Sequence, residues 1–254
     1  MKQIADKKSN EMTERSEAMD GRMQHMAASE MTDKNEMTVG HTSHTVCAMP
    51  PGLGEKAPEF TAVTTDGVKS LSDYRGKWLI MFSHPGDFTP VCTTEFIAFA
   101  QRYEDFRDRK AELLGLSIDS NPSHIAWIIN IYRTTGVEIP FPIIADRDMS
   151  IARLYGMIQP GVSSTETVRN VFYIDPKGII RAKLIYPLTN GRNIEEILRL
   201  LDALQTSDAQ KVATPANWRP GCPTIIPVAK TLAEAKERLE LGENCTDWYL
   251  CYRN

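Results

Sequence analysis

Hydrophobic and polar positions alternate with clear periods only in the middle of this 254-residue chain. Glu59-Phe60-Thr61-Ala62-Val63-Thr64 alternates as a short strand does, and Thr65-Asp66-Gly67 reads as a turn. Lys77-Trp78-Leu79-Ile80-Met81-Phe82 is a continuous apolar run of strand length, suited to a sheet buried on both faces. Phe96, Phe99, Tyr103 and Phe106 then recur at the spacing of one helix face. Glu112 to Ile118 predicts a second buried strand, Ile125 to Tyr132 another helix, and Phe141-Pro142-Ile143-Ile144 a short extended piece. Arg169 to Asp175 and Ile179 to Tyr186 predict two strands joined by the turn Asp175-Pro176-Lys177-Gly178. A helix over Asn193 to Leu204 carries Ile194, Ile197, Leu198 and Leu201 on one face. Strands alternating with helices, then a hairpin and a closing helix, predict a three-layer α/β domain with a mixed sheet.

Both flanks lose this rhythm. Met1 to Pro51 has no Phe, Trp or Tyr and is rich in Met, Glu, Lys, Asp, Thr and Ser. Such a composition buries too little apolar surface to offset the entropy of ordering it, so residues 1–51 read as a disordered polar tail. His41, His44 and Cys47 have a spacing that could contact a metal, against the plainer reading of solvated polar residues. After Thr206, Pro215, Pro220, Pro223 and Pro227 predict an extended arm, followed by a helix from Leu232 to Leu241 and an aromatic, cysteine-bearing end. The expected division is a tail at 1–51, a main domain at 52–206 and a C-terminal arm at 207–254.

Charge and cysteine usage narrow the class. A net charge of -4 gives no electrostatic reason to expect nucleic acid or an anionic membrane as partner. No apolar run is long enough to span a bilayer, and Met1 to Ser29 lacks the apolar core of a signal peptide, so a cytoplasmic protein is expected. The five cysteines are Cys47, Cys92, Cys222, Cys245 and Cys251. In a reducing compartment such cysteines are more often structural, catalytic or metal-binding than stapled.

The informative stretch is Phe82-Ser83-His84-Pro85-Gly86-Asp87-Phe88-Thr89-Pro90-Val91-Cys92-Thr93-Thr94-Glu95. A buried strand ends, a short loop follows, and Cys92 falls in the first turn of the next helix. Pro90 suits that start, because its missing N–H would have had no intrahelical partner. The unpaired N–H groups of a first helical turn, with the positive end of the helix dipole, favour thiolate over thiol. Basicity alone does not cleave a peroxide quickly, because nucleophilicity falls with pKa, so donors must also polarise the peroxide. Thr89 offers a hydroxyl one turn from Cys92, and Pro85 can shield the sulfur from water. The plainer alternative is a small apolar cysteine packed beneath the helix.

Pro85-x-x-x-Thr89-x-x-Cys92 resembles the active-site motif of the peroxiredoxins, and Asp87 to Glu95 is similar to the form used by their one-cysteine-type subfamily. The likeness runs from Leu53 to Asn254, about four-fifths of the chain. It implies a thioredoxin-like fold, with Cys92 as the peroxidatic cysteine that attacks the peroxide. It also implies an arginine that stabilises the thiolate and the transition state. Thr167-Val168-Arg169-Asn170-Val171-Phe172 matches the segment carrying it, so Arg169 is the candidate, against a surface arginine at a strand start. Thr189-Asn190-Gly191-Arg192-Asn193 is similar to the family's second arginine segment, making Arg192 a supporting residue. His84 sits where the subfamily has a histidine facing the site, which makes it a peroxide-binding candidate, against a satisfied core histidine. Glu95 is expected to fix the helix start and orient the arginines. Mammalian relatives carry a lipase-like Gly-x-Ser-x-Gly before this loop; here Lys77 replaces the serine in Arg75-Gly76-Lys77-Trp78-Leu79, so no phospholipase activity is expected.

Cys245-Thr246-Asp247-Trp248-Tyr249-Leu250-Cys251 is the second informative stretch. A cysteine sulfenic acid condenses with a second thiol to a disulfide, and a chain end supplies the mobility this needs. The resemblance extends to archaeal-type thioredoxin peroxidases with such a pair. It implies that Cys251 is the resolving cysteine, acting on Cys92 of a partner subunit, with Cys245 as an auxiliary thiol. An inert local disulfide, half of a zinc site, or simple packing with Trp248 and Tyr249 are the alternatives; no second Cys/His pair lies nearby to complete a zinc site. Cys222 and Cys47 read as bystanders.

The expected activity is reduction of hydrogen peroxide and small alkyl hydroperoxides, with a thioredoxin-like dithiol protein as reductant and no metal, haem or flavin, because sulfur carries both electrons. The family implies a homodimer, or a ring of dimers such as a decamer, joined through the C-terminal arm. A redox-sensing or holdase-like assembly on the same fold is the competing expectation. A disulfide exchanger is disfavoured by the lack of Cys-x-x-Cys.

Overall fold

The computed structural model describes residues 49–240 and 244–254; the tail, with His41, His44 and Cys47, lies outside the described residues. Strands β1 (Thr61–Thr64) and β2 (Gly67–Ser70) form a hairpin whose turn needs Gly67, at a φ of 78°. β3 (Trp78–Ser83), β4 (Ala111–Ser117) and β5 (Ile143–Ala145) run parallel, while β6 (Arg169–Ile174) and β7 (Ile180–Tyr186) add antiparallel strands. The seven strands lie in the order β2-β1-β5-β4-β3-β6-β7, the mixed sheet expected.

β3 explains the layering. All six of its residues are buried, and they alternate: Trp78, Ile80 and Phe82 enter one core, Leu79 and Met81 the other. The first core is roofed by helices α1 (Pro90–Gln101), α2 (Tyr103–Asp108), α3 (Asn121–Thr135) and α5 (Ile194–Gln210), through Phe96, Phe99, Phe106, Trp127, Ile197 and Leu201. The second is closed by α4 (Ser150–Leu154), Phe60, Leu71 and Tyr155. Phe96 to Phe106 do share one core, but the helix expected across them breaks at Arg102 into α1 and α2. α4, one turn held by the Asp146 carboxylate accepting from the N–H groups of Ile151 and Ala152, has too few residues to show a period and was not anticipated.

Helix ends follow their sequence signals. Ser120 caps α3 by accepting from Ser123 N, and Gly136, at a φ of 74°, closes it. Asn193 caps α5 by accepting from Glu196 N. The arm is more ordered than its prolines imply. β8 (Thr224–Ile225), β9 (Cys245–Asp247) and β10 (Leu250–Arg253) form a three-stranded sheet, and Trp218 is buried, its carbonyl accepting from Arg199 of α5. α6 (Leu232–Leu239) buries no residue, leaving Leu232 and Leu239 exposed. Among the described residues no helix is long and apolar enough to cross a membrane.

Candidate active site

The site forms where β3 ends, α1 begins and β6 starts. Thr89 is the N-cap residue of α1 and Pro90 its first helical residue, which places Cys92 third, among the N–H groups without an intrahelical acceptor. Cys92 is fully buried in the first core. β6 pairs antiparallel with β3, and its alternation sends Val171 and Tyr173 toward α1. Arg169, two residues before Val171, is sent the same way. Its Nη1 donates to Cys92 Sγ at 3.3 Å and to Glu95 Oε2 at 2.7 Å, while Nε and Nη2 donate to Leu188 O.

Glu95 follows Cys92 by three residues and so lies on the same helix face. Its carboxylate also accepts from Arg192 through N and Nε at 2.8 and 2.9 Å and through Nη2 at 2.6 Å. Arg192 Nη1 donates to the carbonyls of Ser83 and Asn170, and its guanidinium lies 5.1 Å from the Phe82 ring centroid. Two guanidinium groups against one carboxylate leave one positive charge in a dry site, and Arg169 aims an N–H of it at the sulfur.

The structure adds detail at three positions. The Thr89 hydroxyl donates to Gly86 O at 2.9 Å, tying down its own loop. Glu95 holds both arginines, its carboxylate accepting from three guanidinium N–H groups and from the Arg192 backbone N–H. Cys245 and Cys251 are joined in a disulfide across β9 and β10, while Cys92 and the exposed Cys222 are free among the described residues. Pro85 is buried beside the loop, and Phe88 is exposed at a φ of 55°.

His84 is fully buried, with Nε2 3.1 Å from Asp87 Oδ1. Sequence reasoning missed the other half of this contact, His124 of α3, whose Nδ1 lies 2.9 Å from Asp87 Oδ2. His84, Asp87 and His124 bring ligand-type atoms within 4.8 Å of one another, the one grouping of metal-ligating type among the described residues. No sequence signal pairs His124 with Asp87, which precedes it by 37 residues.

Comparison with known proteins settles the family. Residues 53–183 match the AhpC/TSA family, and residues 203–242 match the C-terminal domain of 1-Cys peroxiredoxin. A peroxiredoxin 2 of Caldanaerobacter subterraneus subsp. tengcongensis is 63% identical over 80% of this chain and 93% of its own length. The chain is a peroxiredoxin. A peroxiredoxin of Aquifex aeolicus is 56% identical over 79% of this chain and 96% of its own. Among solved structures, a yeast mitochondrial 1-Cys peroxiredoxin superposes with a TM-score of 0.71 at 41% identity, covering 80% of this chain and 98% of that one. This peroxiredoxin is a thiol-dependent peroxidase with the expected thioredoxin-like fold.

Burial sets the acid response of the peroxiredoxin's loop. Burial pushes the His84 imidazole down, only partly offset by its bond to Asp87. Burial also works to raise the Asp87 carboxyl, but the hydrogen bonds from His124 and His84 outweigh it and hold the group well below the usual carboxylate range. Below about pH 6.5 the unfolded chain takes up a proton at residue 84 that the folded ring resists, so stability falls. Asp87 contributes stability that is complete above about pH 4 and is lost as the pH drops further. Urea unfolding across a pH series is expected to show this decline, and His84→Gln to flatten it between about pH 6.5 and pH 4. An unchanged slope in His84→Gln would contradict the assignment.

Proposed function

We propose that Cys92 is the peroxidatic cysteine and that Cys251 resolves its sulfenic acid, with hydrogen peroxide and small alkyl hydroperoxides as substrates. The observation that carries this reading is the Arg169 N–H aimed at the Cys92 sulfur at 3.3 Å. The Cys92 thiolate attacks one peroxide oxygen, the O–O bond breaks, and the other oxygen leaves as water or an alcohol after taking a proton. Arg169 and the N–H groups at the start of α1 hold the negative charge as it passes from sulfur to oxygen. Arg192 and Glu95 keep Arg169 in place, Thr89 and Pro85 shape and dry the loop, and His84 contacts the bound peroxide.

The sulfenic acid then condenses with the Cys251 thiol and releases water. Exchange with Cys245 passes the disulfide to the arm and frees Cys92. The Cys245–Cys251 bond supports that last state, since it leaves Cys92 as a thiol. A thioredoxin-like dithiol protein reduces the arm disulfide; the yeast relative is described as resolved via glutathione/thioredoxin systems. Residues 52–206 form the peroxidase domain and 207–254 the arm. The arm reaches Cys92 of a second subunit, in a cytoplasmic homodimer or a ring of dimers such as a decamer. The exposed Leu232 and Leu239 of α6 support such a contact, and light scattering that returned only monomer would remove it.

In an assay coupled through thioredoxin, its reductase and NADPH, Cys251→Ser is expected to complete one turnover and then stall. Normal cycling of Cys251→Ser would assign resolution to Cys245 or to an external thiol.

A further inference from the structure

The end of β3, the cysteine loop and α3 meet at Asp87. Its buried carboxylate takes His84 Nε2 at 3.1 Å and His124 Nδ1 at 3.0 and 2.9 Å from its two oxygens. Its backbone N–H donates to Asp119 Oδ2 at 2.9 Å, so the loop is gripped from both sides. Both rings are fully buried.

Proton counting decides how the cluster works. A carboxylate only accepts, so each ring nitrogen facing it must carry a proton. His84 therefore donates from Nε2, and His124 from Nδ1. The other nitrogen of His124, Nε2, lies 3.2 Å from Ile144 O, a carbonyl that also only accepts. Both His124 nitrogens therefore face oxygens that only accept. A protonated Asp87 would relieve one of these contacts, but the low-lying Asp87 carboxyl opposes it. Burial instead pushes His84 toward the neutral form, and the Arg192 guanidinium acts in the same direction. His84 Nδ1 is then a bare lone pair, buried and without a partner among the described residues, on a ring packed 4.8 Å from Phe96 and 5.2 Å from Trp127. The donor set of this cluster resembles a cation site, but its contacts have hydrogen-bond lengths and each is filled by a ring proton.

We propose that His124 is a positioning residue of the peroxidase reaction: protonated on both nitrogens, it holds Asp87 as a carboxylate and so fixes His84 with its proton on Nε2, leaving His84 Nδ1 to accept the O–H of a bound peroxide. This rests on the reading of His84 as the residue that contacts peroxide. Without His124, Asp87 loses its charged partner and can turn or take a proton. His84 can then carry its proton on Nδ1 and present a donor where the peroxide also offers one.

Nitrogen NMR of the isotope-labelled, reduced, full-length protein at neutral pH reads both rings. The expected result is His124 protonated on both nitrogens and His84 neutral with its proton on Nε2. A neutral His124 would overturn the proposal, and this measurement decides even where a variant fails to fold. In folded His124→Gln, oxidation of Cys92 by hydrogen peroxide is expected to slow roughly ten- to a hundredfold, as misplacement of a reacting group does. Alkylation of Cys92 by iodoacetamide, which needs no peroxide contact, is expected to keep its rate. Equal losses in both reactions, or none in either, would reduce His124 to a structural residue. A wild-type peroxide rate in His84→Gln would refute the peroxide-contact reading separately, with the NMR states of the two rings unaffected as evidence for the network.

Discussion

Arg169→Gln is expected to slow the reaction of Cys92 with hydrogen peroxide by about 10²–10³-fold, the cost of removing one donor from a preorganised oxyanion-type site. The reason lies in what Arg169 does at once. It places Nη1 3.3 Å from the sulfur, the same nitrogen is held by Glu95, and Nε and Nη2 are anchored on Leu188 O, so little motion is lost on reaching the transition state. Glutamine has about the right polarity but cannot carry the charge or span the three anchors. Glu95 retains Arg192 in this variant, so the fold is expected to survive. Stopped-flow fluorescence measures the rate, and a loss of only a few-fold would show that Arg169 serves packing more than chemistry.

Glu95→Ala is expected to act on stability as well as on rate. Glu95, Arg169 and Arg192 have side chains no more than 3% exposed, and the carboxylate offsets two guanidinium groups that water does not reach. Removing one partner of a buried ion pair typically costs about 3–5 kcal/mol, because the remaining charge stays buried and unpaired. Urea unfolding is expected to show a loss of that size, and the peroxide rate to fall because Arg169 is released. Glu95→Gln, which keeps the shape but not the charge, is expected to lose less. A Glu95→Ala protein as stable as the parent would mean that the arginines find other partners or water.

How much of this was legible follows from how local each signal is. β3 could be read because six buried residues in a row need no partner to be recognised. The start of α1 was written in Thr89, Pro90 and the apolar positions after Cys92. Arg169, Arg192 and Glu95 were legible only through their resemblance to a family, since 74 and 97 residues separate the arginines from Glu95. Asp87 lay inside the motif, but nothing in the sequence tied it to His124: a lone histidine on a helix is ordinary, and what sets this one apart is two acceptors brought to it by other elements. The sheet of the arm was hidden for a different reason. Strands of two to four residues between prolines and polar residues show no alternation, and they are held by pairing across the arm, as Ile226 N to Cys251 O is. The Cys245–Cys251 bond depends on that pairing, which sets the two residues opposite each other.

The identity of the attacking sulfur is tested most directly by trapping it. Reduced Cys251→Ser protein is treated with one equivalent of hydrogen peroxide in the presence of a sulfenic-acid-specific carbon nucleophile, and the modified peptide is located by mass spectrometry. The result predicted is a single adduct on Cys92, with peroxide consumption by Cys92→Ser reduced to the uncatalysed background. An adduct on Cys222, Cys245 or Cys47 with Cys92 unmodified, or undiminished peroxide consumption by Cys92→Ser, would contradict it.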